Sequence, residues 1–187
     1  MNSITPTALV LAAAALSLHA GPAPKSVIQR GGYLVQVAGC HDCHTPLKMG
    51  PKGPEPDMSR MLSGHPEGMA MPPAPKLPEG PWLVSGAATL TAWSGPWGVS
   101  FSANLTPDKE TGLPAEGADG FVKHVRSGRH LGKGRPVLPP MPIQNLQAMT
   151  DEDLKAIYAY LRTIPAVKNR VPDHIPAQGA AQPTSAK

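Results

Sequence analysis

GGYLVQVAGCHDCHTP, residues 31–46, is the stretch on which the reading of this chain turns. Its core, Cys40-His41-Asp42-Cys43-His44, is a C-x-x-C-H pattern, the attachment site of a c-type haem. Two thiols one helical turn apart add across the porphyrin vinyl groups, and the histidine after the second thiol is held beneath the iron. Cys40 and Cys43 are the only cysteines in 187 residues, so the expectation is one covalent haem and its iron. A thioredoxin-like dithiol needs a βαβ context, and none surrounds this motif. A structural zinc site needs further clustered Cys or His pairs, which do not follow.

Around this motif the chain is sparse in regular structure. It holds 24 prolines and 19 glycines and only 4% aromatic residues, so ordered loops and a buried porphyrin are expected to replace part of a conventional core. Net charge is +4, which suits docking to acidic partners. The basic residues are dispersed and not interleaved with aromatics, so no nucleic acid is expected.

Apolar periodicity predicts a first helix over Ser26–Gly39, with Val27, Tyr33, Leu34 and Val37 inward. Glycines 31 and 32 suit the close approach of a second helix. Residues 45–81 read as a Pro/Met/Gly-rich loop. Alternation from Val99 to Leu105, after Thr89–Trp93 and a Ser94-Gly95-Pro96 turn, predicts a small β-hairpin. A second helix is expected over Ala118–Ser127. The last begins at a Thr150 N-cap with three acids in its first turn, carries Leu154, Ile157, Tyr158 and Leu161 inward, and is stopped by Pro165. No internal repeat is present.

The run Leu9–Leu18 has the length of a signal-peptide core and is too short to span a bilayer. The expected layout is a signal peptide over 1–20, with an uncleaved amphiphilic anchor as the alternative, a haem domain over 21–168 and a disordered tail over 169–187. The mature chain is expected to be periplasmic, without a transmembrane segment.

With His44 on one face of the iron, the second axial ligand sets the function. Met141, in Leu138-Pro139-Pro140-Met141-Pro142, is the leading candidate because the flanking prolines stiffen its backbone. Met49, Met58, Met61, Met69 and Met71 form a second group, read mainly as packing against the porphyrin, although one of them remains an alternative ligand. Arg129, Arg135 and the Trp97 indole are candidate donors to the propionates. The basic run containing the two arginines reads equally as a docking rim.

GGYLVQVAGCHDCHTP, SANLTPDKETGL, FVKHVRSGRH leading into GRPVLPPMP, and MTDEDLKAIYAYLRTIP together resemble the class I c-type cytochromes. More narrowly, they resemble the cytochrome c domains that serve periplasmic alcohol and aldehyde dehydrogenases of bacteria. The resemblance covers about Ser26 to Pro165. It implies an all-α fold with long Pro-rich loops, the first and last helices crossing where Gly32 and Tyr33 meet Tyr160. It implies covalent haem at Cys40 and Cys43 and axial ligation by His44 and Met141. The implied function is electron transfer, without catalysis, from a dehydrogenase donor towards an oxidase or another cytochrome. Many such relatives carry two or three haem motifs, so a free-standing carrier and a small accessory subunit are both compatible. The alternatives are a peroxidase-like enzyme or sensor with an open sixth position, and a Met-rich copper handler.

Overall fold

A computed structural model describes residues 25–177, apart from Lys76 and Ala115. The expected signal peptide lies outside the described residues. Among the described residues there are five α-helices: α1 (Lys25–Val37), α2 (Cys40–His44), α3 (Gly117–Ser127), α4 (Ile143–Gln147) and α5 (Asp151–Leu161). Strands β1 (Leu47–Gly50) and β2 (Gly53–Pro56) form one antiparallel hairpin. Strands β3 (Ser85–Gly86), β4 (Ala92–Gly95), β5 (Gly98–Phe101) and β6 (Ile175–Pro176) form a second antiparallel sheet in that order.

The expectation of an all-α fold is therefore corrected. With 34% helix and 15% strand in two antiparallel sheets, the architecture is mixed. The 89–105 hairpin is present, at β4–β5, but the strands flanking it are two residues long. No alternating pattern can develop over so few positions. The β1–β2 hairpin lies in a segment containing Pro51, Pro54 and Pro56, residues that argue against strand on sequence grounds.

Helices α1 and α5 cross at Gly31. A Cβ there would lie 1.9 Å from the Ala156 carbonyl oxygen, and one at Gly32 would lie 3.0 Å from the Tyr160 ring. The close approach is tightest at Gly31, with Gly32 set against Tyr160. Tyr33 and Val37, expected inward, are each 58% exposed, while Gly31, Leu34 and Val35 are buried. The Tyr33 ring instead lies under the Arg30 guanidinium, which pairs with Asp153 on α5. At the start of α5 the Thr150 hydroxyl accepts the Asp153 amide at 3.1 Å, as its N-cap position requires.

The core gathers Leu34 and Val35 of α1, Leu62, Leu113, Val125 of α3, Ile143 and Leu146 of α4, and Leu154, Ile157 and Leu161 of α5. Arg126 fastens α3 to the α4–α5 connection through Asp151 and the carbonyls of Gln147 and Met149. The chain after α5 returns across the molecule. Asn169, assigned from sequence to the tail, is fully buried. Its side chain donates to the carbonyls of Ser63 and His65 and accepts from Arg60 and the Glu67 amide. Strand β6 follows within the tail segment, so order extends to at least Pro176. Among the described residues, no helix is long and apolar enough to cross a membrane.

Candidate haem site

Gly39, at φ +67°, ends the α1 segment and turns the chain into α2. A single helical turn then carries Cys40, Cys43 and His44. Both cysteines are partly buried, and no disulfide joins them. Burial pushes the Cys40 thiol up to about 11, and burial with the adjacent Asp42 also raises Cys43. Neither sulfur has the electropositive surroundings that make a reactive redox dithiol.

His44 is buried, and its Nδ1 lies 2.8 Å from the Ala103 carbonyl oxygen. A carbonyl only accepts, so Nδ1 carries the proton and Nε2 keeps its lone pair. Burial pushes the imidazole towards the neutral form. This is the arrangement of a metal-ligating histidine oriented by an outer partner.

The sheet fixes that partner. Beyond β5 the chain pairs with the segment following His44: His65 donates its amide to Ser102 O, and Leu105 donates to Leu62 O, both at 2.9 Å. Gly64, at φ +77°, donates to His44 O at 2.8 Å. A Cβ there would lie 2.3 Å from Ser102 O, so only glycine lets the two segments close on Ala103. Thr45 adds a further tie by accepting the Leu62 amide.

Met141 is partly buried and borders the same apolar core as Cys40. It lies in a tight strap: its amide donates to Leu138 O and its carbonyl accepts the Ile143 amide opening α4. The strap is tied to the hairpin, because Ser100 Oγ donates to Pro139 O at 2.6 Å. Trp97, a candidate propionate donor, gives its indole N–H to Ser100 Oγ instead. Trp93, which the sequence reading did not single out, buries its indole N–H without an acceptor.

Arg135 is half-buried beside His124, His130 and Asp173. Arg129 donates to Gly134 O at 2.9 Å, within its own loop. Of the Met group, Met49, Met58 and Met69 are exposed while Met61 borders the core. Among the described residues, no cluster of three or more His, Cys, Asp or Glu side chains is placed to hold a metal ion.

Two thiols on one turn, a buried imidazole with a directed lone pair and a partly buried thioether on the same core fit a c-type haem. The chain carries a cytochrome c domain of the kind found in dehydrogenase systems. It is 29% identical to the gluconate 2-dehydrogenase cytochrome c subunit of Pantoea cypripedii, over 72% of this chain and 22% of that protein. It is 30% identical to the fructose dehydrogenase cytochrome subunit of Gluconobacter japonicus, over 76% of this chain and 23% of the relative. With the alcohol dehydrogenase (quinone) cytochrome c subunit of Gluconobacter oxydans (strain 621H) it shares 26% identity, over 83% and 26%. The chain thus spans about a quarter of the length of the curated relatives it matches. No protein-family model matches it.

Proposed function

We propose that this chain binds one haem covalently through Cys40 and Cys43, with His44 and Met141 as axial ligands, and works as a one-electron carrier. The observation that carries the reading is His44: its Nδ1–H is held by Ala103 O, so Nε2 is left as the metal-binding atom. Haem iron supplies the Fe(III)/Fe(II) couple, and a thioether ligand raises its potential. The residues around it need move no proton. His44 and Met141 would hold the iron, with the Ala103 carbonyl orienting the imidazole and the Ser100–Pro139 contact steadying the thioether. Trp93, with its unpartnered N–H, is the better indole donor to a propionate than Trp97.

The proposed donor is a periplasmic dehydrogenase, with an oxidase or another cytochrome as acceptor. The support is that the relatives are cytochrome subunits of gluconate, fructose and alcohol dehydrogenases. The layout proposed with this reading is a signal peptide over 1–20, its cleavage leaving the haem domain, and a short C-terminal tail.

The test is extraction with acidified acetone followed by visible spectroscopy of the protein fraction. Haem absorbance is expected to stay with the wild-type chain and to be lost from C40A/C43A. Haem absent from the wild type, or extracted from it, overturns the reading.

A further inference from the structure

The segment 120–149 carries five of the chain's 17 lysines and arginines and none of its 13 acids. The net charge of +4 is therefore concentrated in 30 residues that include α3 from Gly120 onward, the loop after it and the Met141 strap. Arg126 is already clamped to Asp151. Lys123, Arg129 and Lys133 are exposed, and half-buried Arg135 adds charge beneath them.

The loop holding these cations is built. Gly128 is left-handed at φ +61°, Arg129 and Pro136 form a bridge, and His130 donates its amide to Arg135 O. At its tip stands Leu131, 45% exposed and at φ +52°, a conformation unfavourable for leucine. Its amide is held by His124 Nδ1 at 3.2 Å. An apolar side chain is thus kept in water by a strained backbone, with Lys123 packed on Gly132 beside it. Strain of this kind collects at functional positions.

We propose that Lys123 and the loop Gly128–Arg135 form the docking surface for an acidic protein partner, with Leu131 as the apolar contact inside a cationic rim. Charge complementarity selects the occupant: residues 120–149 hold no acid, Asp173 and Glu116 stand only beside Arg135 and His124, and the exposed cations steer a negative patch while adding little permanent affinity. An apolar centre within a polar rim matches the layout of a small, transient interface. That the partner is a redox protein rests on the proposed function; its acidity does not.

The test uses poly-L-glutamate and a Glu–Tyr copolymer as probes, titrated into the holoprotein by calorimetry at low ionic strength. K123E/K133E is expected to weaken poly-L-glutamate binding at least about fivefold. K25E/K52E, with the same change in net charge elsewhere, is expected to weaken it less than about twofold. L131S is expected to leave poly-L-glutamate binding unchanged and to weaken only the copolymer, by about threefold. Equal losses in the two charge-reversal pairs, or no effect of L131S on the copolymer, would overturn the proposal. Unaltered melting temperatures and haem spectra in all variants separate loss of the surface from loss of fold or cofactor.

Discussion

Ser100 on β5 donates its hydroxyl to the carbonyl of Pro139 at 2.6 Å, joining a hairpin to the strap that carries Met141. Trp97 stacks a second tie onto the first by donating to the same hydroxyl at 3.2 Å. The two contacts make the sheet a support for the proposed axial ligand rather than an appendage to a helical fold.

Removing that support should loosen the thioether without exposing the haem. For S100A, loss of one part-buried hydrogen bond is worth about 1 kcal/mol, so exogenous cyanide should enter the ferric protein roughly fivefold faster. S100T, which keeps a hydroxyl, should restore the wild-type rate. The check is stopped-flow absorbance, and an unchanged rate in S100A would detach the hairpin from the ligand.

Asn169 ties the returning chain to the loop beneath His44 through four side-chain hydrogen bonds. N169A strips partners from several groups that have little access to water, and should cost about 3 kcal/mol. Thermal unfolding followed by circular dichroism should show a melting temperature lower by several degrees, against a near-neutral exposed control such as N145A.

Gly31 admits the Ala156 carbonyl at a distance no side chain tolerates. G31A should force α1 and α5 apart and cost about 2 kcal/mol or more, whereas alanine at exposed Gly68 should do much less harm at the packing level. Urea denaturation of G31A checks this, with a lower midpoint expected and an unchanged slope.

Acid should destabilise the fold in a defined window. Burial and the neighbouring Arg135, His124 and His174 push His130 down to about 4, and burial lowers His124 as well, against Glu116. Both are neutral in the folded state, while an unfolded histidine titrates near about 6.5. The unfolded chain therefore takes up protons that the fold refuses, so this stability is complete above about pH 6.5 and is lost as pH falls towards 4. Melting temperatures at pH 7, 5.5 and 4.5 should decline, and H130Q should decline less. The depressed carboxylates Asp57, Asp108 and Asp153 add their own loss of stability from about pH 5 downwards.

What was legible in the sequence is what local chemistry dictates. The Thr150 cap, the apolar stripe of α5 and the Gly-terminated α3 each announce themselves within one or two turns, and the C-x-x-C-H turn does so within five residues. Of the strands only the β4–β5 hairpin did so; β1, β2, β3 and β6 are two to four residues long and carry Pro or Gly where alternation would show. The partner of His44 was equally hidden: Ala103 O is a backbone atom 59 residues away, brought in by Gly64 and the ladder beyond β5. Asn169 looked like the start of a polar tail because three of its four side-chain partners are backbone groups of residues 63–67, distant in sequence.

The account rests most heavily on the pairing of His44 with Met141 across one haem iron, and potentiometric titration of M141A tests it most directly. Axial ligands spread haem potentials over roughly 0.8 V, and a thioether lies towards the high end, so the midpoint should fall by more than about 0.1 V. A midpoint and visible spectrum identical to the wild type would contradict the account.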